Sequence, residues 1–493
     1  MNCLLVYPQY PDTFWSFRHA LKFLSLKASF PPLGLMTVSA MLPEGWNKRL
    51  VDMNIDNLYD DDIRWADIVL ISAMSVQIDS ADEVVARCRA LETRVVAGGS
   101  HFTSHPELYE HVDHLVLNEA ELTLPPFLHD LELGCARHLY TSEEWADLSS
   151  TPLPDLSLIS MKRYSSMNLQ YSRGCPFDCE FCDITVLLGR KPRTKSREQI
   201  IAELDALNAA GWKGPLFFVD DNFIGNRRKL KVEILPAIAE WMDERRRPFF
   251  LNTEASIDLA DDPELMRLMV EAGFEAVFVG IETPHEESLI ECGKAQNRHR
   301  DLVESVHTIQ RAGLEVQGGF ILGFDEDPPL IFDRLTAFIQ ETGIVTAMVG
   351  LLNAPTGTRL HKRMSAEGRL LADFNGNNTD AAMNFIPRMN KESLLDGYRN
   401  VLSEIYTPKQ YYARVRHFLQ DFNPRKKELR ISPRYALALL RSMVFLGMIG
   451  RERLHYWRLF LWSLFRKPQI FPLAILFSIY GFHFRKIAER SAA

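Results

Sequence analysis

The chain has 493 residues, a length that predicts two or three domains, and its 46% hydrophobic and 24% charged residues are typical of a globular protein. Seven cysteines, an odd number in a long chain, argue against a disulfide framework and indicate a reducing compartment. The formal net charge is −8, and the absence of internal repeats or low-complexity tracts excludes repeat and fibrous architectures.

Residues 1–135 alternate between short apolar runs and helical patterns. Two segments, 31–43 and 80–92, predict helices. The alternation predicts an α/β domain with a doubly wound, Rossmann-like parallel sheet. The opening MNCLLVYPQY has no basic n-region, so we expect no signal peptide. The apolar runs predict buried strands at 3–8, 48–54, 66–74, 93–99 and 113–121.

Small residues follow two of these strands, at the edge where such sheets bind ligands. They are Ser72, Ala73, Gly98, Gly99 and Ser100. Glycines there allow a ligand to approach the backbone closely, although plain helix–sheet packing explains them equally well.

The combination PPLGL, ISAMS, VAGGSHFT and LNEAELTLPPF resembles the cobalamin-binding domain that precedes many radical S-adenosylmethionine (SAM) modules. The resemblance implies that Ser72, Gly98 and Gly99 contact cobalamin. The DxHxxG motif of that family is absent, and neither Asp79 nor His101 stands in such a pattern. We therefore expect base-off cobalamin without a cobalt-ligating histidine from that motif.

After a proline-punctuated linker at 136–164, the stretch SRGCPFDCEFCD places Cys175, Cys179 and Cys182 within eight residues. Three ligands suit a metal site that keeps one position open, and thiolates favour zinc or iron–sulfur clusters. A 4Fe–4S cluster held by three thiolates leaves one iron free, whereas a zinc site would need a distant histidine. The remaining cysteines are predicted to pack in the core: Cys3, Cys88, Cys135 and Cys292.

CPFDCEFC resembles the CxxxCxxC signature of radical SAM enzymes, including the aromatic Phe181 before the last cysteine. The resemblance implies that the three cysteines hold a 4Fe–4S cluster, that Phe181 lies at the cofactor, and that the open iron binds the amino and carboxylate groups of SAM.

Residues 165–360 show about six strand–helix units, which predict a partial (β/α)6 TIM-type barrel with its chemistry at the carboxyl ends of the strands. Each polar residue at those ends could be a helix cap or a turn, but together they predict a pocket. The resemblance places Asp221 and Asn222 near the amino group of SAM, Glu282 near its ribose, and Glu254 among the cofactor contacts. The set is Asp220, Asp221, Asn222, Glu254 and Glu282. The basic run 189–196 could hold an anion or form a solvated loop.

Residues 361–493 predict a helical domain. Residues 424–493 hold fourteen Lys and Arg against three Glu, about +11, which suits an anionic partner. The apolar stretch 470–484 has about fifteen residues, fewer than the ~20 needed to span a bilayer. Residues 430–490 predict either a helical layer over the barrel or peripheral membrane contact. Nucleic acid is not expected, because no RNA-binding module is visible.

Across nearly its whole length the chain resembles the hopanoid ring-A methylase branch of cobalamin-dependent radical SAM enzymes. This implies methyl transfer to an unactivated carbon of a hopanoid or other membrane lipid, with no side chain as general base. It also implies an external flavodoxin- or ferredoxin-type electron donor and a cytoplasmic location, peripheral at the inner face of the membrane. The alternatives are a non-methylating rearrangement, cyclisation or C–C coupling, modification of RNA, and a cobalamin- or redox-sensing binding protein.

Overall fold

The computed structural model describes residues 1–423 and 433–492. The N-terminal part is a six-stranded, fully parallel sheet in the order β2-β1-β3-β4-β5-β6, which confirms the doubly wound prediction. β2 lies on one side of β1 and β3 on the other, so the order in which strands are added changes side at β1. The strands are β1 (Asn2–Tyr7), β2 (Asn47–Asp52), β3 (Ile68–Ser72), β4 (Arg94–Gly98), β5 (His114–Val116) and β6 (Leu139–Tyr140). Its α-helices are Arg18–Leu24, Leu33–Met41, Asp60–Trp65, Ile78–Ala90, Ser100–Ser104 and Ala120–Glu132.

A second parallel sheet of six strands forms the predicted partial barrel, in the order β14-β13-β12-β11-β10-β7. A small antiparallel pair, β8 with β9, flanks the segment that carries the cysteines. The strands are β7 (Met167–Leu169), β8 (Ser172–Arg173), β9 (Arg193–Thr194), β10 (Gly214–Phe218), β11 (Phe249–Glu254), β12 (Phe274–Glu282), β13 (Glu315–Leu322) and β14 (Ala347–Leu351). The α-helices of this part are Ile184–Leu187, Arg197–Ala209, Arg227–Lys229, Leu235–Glu244, Pro263–Ala272, Glu286–Glu291, Leu302–Arg311 and Ile331–Glu341.

Sequence signals at the helix ends explain where these helices begin and stop. Ser196 caps Arg197–Ala209 by accepting a hydrogen bond from the Gln199 amide, as predicted. Asp262 caps Pro263–Ala272, whose proline occupies the first turn, and Gly273 ends that helix at φ +104°.

The C-terminal part is helical, as predicted. Its α-helices are Arg359–Ala366, Lys391–Ile405, Pro408–Asp421, Pro433–Val444, Arg453–Arg466 and Phe471–Ala492. The last of these packs against several of the others and against Arg18–Leu24 near the N-terminus.

The last helix corrects the expectation that residues 470–484 are too short to cross a bilayer. Within the described ranges, one helical segment, Pro468–Ser491, is long and apolar enough to do so by length and composition alone. Pro472 lies in the first turn of the helix, where proline is tolerated, so the helix continues past the apolar run. Yet 56% of the most apolar 18-residue stretch of this segment is buried within the chain, as in a core helix.

Cys3, Cys88 and Cys292 are buried, as predicted, whereas Cys135 is exposed and the core prediction for it was wrong. Cys135 follows Gly134, whose φ of +70° turns the chain at the surface after the helix Ala120–Glu132. The short strand β6 extends the first sheet beyond residue 135, into the segment predicted as a linker.

Candidate active site at the carboxyl ends of the barrel strands

The cluster loop, residues 174–183, begins with a glycine that no other residue could replace. Gly174 has φ +90°, and a Cβ there would lie 2.9 Å from the carbonyl oxygens of both Leu188 and Gly189. The amide of Cys175 donates to the Gly189 carbonyl at 3.2 Å. The loop is therefore folded back on the segment that follows it.

The three predicted cysteines lie on this loop, and all are free thiols. Among residues 1–423 and 433–492, no three His, Cys, Asp or Glu side chains converge to hold one metal ion. Three thiolates on one loop, with one position left open, suit a 4Fe–4S cluster.

Two side-chain amides point at the cluster thiols. The Nδ2 of Asn222 lies 3.9 Å from the Cys175 sulfur, and the Nε2 of Gln296 lies 3.9 Å from the Cys179 sulfur. Burial raises the pKa of Cys175 and of Cys182 above the usual thiol range. Deprotonation of these thiols is therefore tied to iron binding, which favours the thiolate.

Two carboxylates beside the loop have no partner side chain. Within the described ranges, neither Asp221 nor Glu254 forms a hydrogen bond or an ion pair with another residue's side chain. Burial, followed by neighbouring carboxylates, raises the pKa of Asp221 to about 7 and that of Glu254 to about 8. Such groups suit a cationic ligand such as the amino group of SAM, which would favour their charged form.

Asp220 and Asn222 form hydrogen bonds within the protein. Asp220 is fully buried and accepts hydrogen bonds from the Tyr171 amide at 3.0 Å and the Ser172 hydroxyl at 2.6 Å. It therefore anchors β8 next to the cluster loop, and its prediction as a pocket residue was wrong. Asn222 is 3% exposed and donates to Ser256 as well as facing Cys175.

Glu282 is neutralised by a lysine that the sequence did not single out. The Nζ of Lys294 lies 2.5 Å from the Glu282 Oε1. Burial alone would lower the pKa of Lys294, but the charges of Glu282 and Cys179 outweigh it and raise that pKa. Glu282 ends β12 at φ +64°, in the left-handed region, and strained backbone of this kind clusters at functional sites.

The raised pKa of Glu254 predicts a pH-dependent stability. In the folded protein this carboxyl titrates at about 8 instead of 4.5, so the folded state holds the proton more tightly than the unfolded chain. Its contribution to stability is fully present below the unfolded pKa of 4.5 and is lost as the pH rises through about 8. In cofactor-free protein we expect Glu254→Gln to raise the melting temperature more at pH 9 than at pH 6, in melts followed by circular dichroism.

The control for this measurement is Glu240→Gln, which alters an exposed carboxylate. Its effect on the melting temperature should be the same at both pH values. An effect of Glu254→Gln that does not change with pH would contradict the assignment of a half-buried, unpaired carboxyl.

The structure brings Ser72, Gly98 and Gly99 together at one edge of the first sheet. A Cβ on Gly98 would lie 2.6 Å from the Val116 carbonyl oxygen, and one on Gly99 would lie 2.7 Å from the Ser72 hydroxyl. Packing of neighbouring atoms thus accounts for both glycines, and their contact with cobalamin stays a prediction.

His101 is 1% exposed, and its Nε2 is held 2.7 Å from the Tyr109 hydroxyl, which donates to Asp82. Burial lowers the pKa of His101 to about 4. The helix Ser100–Ser104, which carries His101, contacts the helix Ile184–Leu187 just after the cluster loop. The predicted cobalamin edge and the cluster loop are therefore neighbours.

A buried ion-pair network joins the two domains at β8. Arg173, the residue before the cluster loop, contacts Glu119 at 2.9 Å and Glu121 at 2.9 Å, and both carboxylates are less than 5% exposed. Burial alone would raise the pKa of Glu121, but Arg173 brings it down to about 2. Arg193 also contacts Glu119, at 2.8 Å, so this member of the basic run 189–196 pairs within the protein.

The first helix of the C-terminal part clamps the cluster loop from the other side. Arg363 donates to both carboxylate oxygens of Glu180 at 2.8 Å, and Glu180 lies between Cys179 and Phe181. The backbone of Leu360 donates to the Glu180 carbonyl at 2.9 Å, and Arg359 donates to the Asp178 carbonyl at 2.5 Å. The helix Arg359–Ala366 thus fixes the middle of the loop.

Removing this clamp should weaken the cluster without unfolding the protein. Because Arg363 is 26% exposed, we expect Arg363→Ala to cost about 1–2 kcal/mol, less than the loss of a fully buried partner. Iron content and the absorbance of the reconstituted cluster should fall. Arg363→Lys should restore them only in part, since lysine cannot bind both oxygens.

Arg388→Ala provides the matched control. Arg388 and Arg363 both contact Asp325, but Arg388 is 57% exposed and does not contact Glu180. It should retain wild-type iron. Equal iron loss in the Arg388 and Arg363 variants would contradict a specific role for the clamp.

The inner face of the barrel carries half-buried side chains around a region that we call the inner chamber. Outward-facing side chains such as Leu216, Val277 and Val279 are fully buried, whereas the inward-facing ones remain half-buried. Two residues from the N-terminal part close the chamber: the Trp15 ring lies 5.0 Å from that of Phe278, and Phe30 lies 5.4 Å from Phe217. The inner chamber is lined by Trp15, Phe30, Asn168, Phe217, Asn252, Phe278, Gln317 and Met348.

The predicted site residues therefore divide into three groups. Cys175, Cys179 and Cys182 share one loop, and Asp221 and Glu254 face the space beside it, while Phe181 packs 6.2 Å from Phe324. Ser72, Gly98 and Gly99 lie on the first sheet. Sequence reasoning missed Lys294, Gln296 and Arg363, because each reaches the site from a distant part of the chain and no motif marks it.

Comparisons with known proteins agree with this arrangement. The B12 binding domain family matches residues 23–128, the radical SAM superfamily matches 169–332, and a domain of unknown function matches 358–493.

Full-length relatives show the same organisation. The chain is 41% identical to an uncharacterized methyltransferase of Synechocystis sp., over 99% of this chain and 92% of that protein. It is 33% identical to the hopanoid C-2 methylase of Rhodopseudomonas palustris, over 94% of this chain and 89% of that protein.

Among solved structures, the chain resembles the cobalamin-dependent S-adenosylmethionine radical enzyme OxsB with a TM-score of 0.62 at 15% identity. The match covers 99% of this chain and 80% of that one, and it supports the fold alone.

Proposed function

Because this chain belongs to the cobalamin-dependent radical SAM methyltransferases, we propose that it methylates an unactivated carbon of a lipid-like substrate, of the hopanoid or a related membrane-lipid class. Its domains imply a 4Fe–4S cluster, SAM and cobalamin as cofactors. The observation that carries the substrate class is the inner chamber, whose aromatic side chains remain half-buried and pack against one another across the two domains. The relationship to a hopanoid C-2 methylase supports the same class.

The residues of the chain hold and shield the reactants, while the cofactors carry the reaction. When bound, the cluster with SAM supplies a hydrogen-abstracting radical, and cobalamin supplies the methyl group. Asp221 and Glu254 would bind the cationic end of SAM, and Asn222 and Gln296 would donate to the cluster thiolates. Trp15 and Phe278 would hold an apolar ring system in place and exclude water from the carbon to be methylated.

The test is to identify the lipid that gains a methyl group. The reconstituted protein would be incubated without oxygen with methyl-deuterated SAM, a reductant and the lipid extract of a hopanoid-producing bacterium. We expect mass spectrometry to show the label in a ring of a hopanoid or related lipid. Label only in a pigment or in RNA would refute the proposed substrate class, and deoxyadenosine without any methylated product would favour the non-methylating alternative.

Trp15→Ala tests the chamber itself. Without this side chain the substrate should be poorly positioned. We therefore expect the ratio of methylated lipid to released deoxyadenosine to fall about tenfold, equivalent to about 1.4 kcal/mol. Trp65→Ala, which alters a tryptophan stacked under Arg49 in the first domain, serves as the matched control and should leave the ratio unchanged. An unchanged ratio in Trp15→Ala would argue against substrate binding in the chamber.

A further inference from the structure

We infer that the helical hairpin at residues 433–466, the docking hairpin, binds the surface of a bilayer that contains anionic phospholipids. Its first arm is the helix Pro433–Val444, extended by a wide turn at Phe445–Ile449, and its second arm is Arg453–Arg466. The inner faces hold the arms together. The Ser442 and Tyr456 hydroxyls lie 2.9 Å apart, and the Trp457 indole donates to the Gly447 carbonyl at 2.9 Å.

The outer faces of both arms are apolar and exposed. Leu437, Leu440, Val444 and Met448 follow one another at helical spacing on the first arm and are 42–67% exposed. Eleven of the 26 exposed large apolar side chains within the described ranges lie in these 34 residues, so the patch is a local feature of the surface. The second arm contributes Leu454, Leu461, Leu464 and Phe465, which are 38–76% exposed.

Cations without acidic partners surround this apolar surface. Arg453, Arg458 and Arg466 are exposed, and none of them forms an ion pair with a residue that the structure describes. Both glutamates within residues 433–492 are already engaged: Glu452 is buried against Arg485 at 2.5 Å, and Glu489 pairs with Lys486 at 2.7 Å. The positive charge of the hairpin is therefore available to a partner.

The charge distribution favours a bilayer over a second copy of the chain. A two-fold contact through this face would set the arginines of one copy beside those of the other, and such like-charge contacts are unfavourable. Anionic headgroups instead complement the arginines, while exposed leucine and phenylalanine side chains enter the boundary of the acyl region. Three strongly exposed apolar side chains, Met448, Ile449 and Leu454, lie at the tip of the hairpin near Arg451 and Arg453.

The docking hairpin contacts the N-terminal helix that follows the chamber residue Trp15. Arg441 on the first arm donates to the carbonyls of Lys22 and Phe23, at the end of the helix Arg18–Leu24. That helix follows directly on Trp15, which closes the chamber against Phe278. The membrane surface would therefore lie close to the segment that covers the substrate chamber. The inference stands on the surface of the hairpin alone and does not depend on which substrate is methylated.

Flotation of the reconstituted full-length protein with vesicles tests this surface without SAM or substrate, so that the outcome is independent of catalysis. Wild-type protein should float with phosphatidylglycerol-containing vesicles and much less with pure phosphatidylcholine vesicles. Met448→Glu/Leu454→Glu should reduce the bound fraction at least tenfold, and Arg453→Glu/Arg458→Glu should reduce it by about the same factor, since each basic residue near an anionic surface strengthens binding several-fold.

Val232→Glu is the matched control, because Val232 is 70% exposed in the barrel region, away from the hairpin. It should float like the wild type. Equal flotation of all variants, or wild-type protein that ignores both kinds of vesicle, would overturn the inference. Dimers in solution that the Met448→Glu/Leu454→Glu variant abolishes would assign the face to a second copy instead.

Discussion

Cys179→Ala should leave a folded protein that no longer cleaves SAM. The loop would keep its hydrogen bonds, because the Cys182 amide donates to the backbone carbonyl of residue 179 rather than to its side chain. The cluster would lose one of three thiolates, so we expect iron content to fall and deoxyadenosine formation to drop at least ~1000-fold, equivalent to about 4 kcal/mol. Chromatographic assay of deoxyadenosine after reduction with dithionite gives the result directly.

Cys88→Ala is the matched control for this substitution. Cys88 is fully buried in the core of the first domain and contacts none of the site residues, so its variant should retain iron and SAM cleavage. Retained cleavage in Cys179→Ala would refute the cluster assignment. Equal loss in both variants would show that the assay reports general damage rather than loss of a ligand.

Arg173→Met should loosen the two domains from each other and from the cluster loop. The substitution leaves Glu121 without its main partner and Glu119 with only Arg193 and the Ala146 amide, and both carboxylates are buried. Removing one partner of a buried ion pair typically costs about 3–5 kcal/mol, mostly because the remaining charge is uncompensated. We expect a lower melting temperature together with reduced retention of both iron and cobalamin.

Restoration by a second substitution separates this cause from a simple loss of packing. Glu121→Gln in the Arg173→Met background removes the uncompensated charge, so part of the stability and of the cofactor retention should return. Arg197→Met, at an exposed helix position, should have little effect. If Glu121→Gln lowers stability further in the double variant, the network does not act through buried charge.

The sequence predicted most of the fold because its signals are local. Parallel strands appear as short apolar runs, and both six-stranded sheets follow from their alternation with helices. The cysteine motif needs only eight consecutive residues, which is why Cys175, Cys179 and Cys182 could be named before the structure. Three assignments failed, because Cys135 is exposed, Asp220 anchors β8 instead of lining the pocket, and the last helix continues beyond the apolar run 470–484.

The parts that the sequence could not predict depend on contacts between distant segments. Lys294 neutralises Glu282, and Arg363 reaches Glu180 from 183 residues away. The sequence separation hides such pairs, since any of 56 lysines and arginines could have been the partner. The sequence does not predict the inner chamber either, because the chamber depends on contacts of Trp15 and Phe30 in the first domain with Phe278 and Phe217 in the second.

We expect this chain to form carbon–methyl bonds by radical chemistry that needs both cofactor domains. The most direct test is to measure deoxyadenosine and deuterated methyl product in the same anaerobic reaction, with and without cobalamin. Radical methyl transfer should give both compounds together when cobalamin is present, and no methylated product when cobalamin is omitted. A methylated product that forms without deoxyadenosine, or that forms equally well without cobalamin, would contradict it.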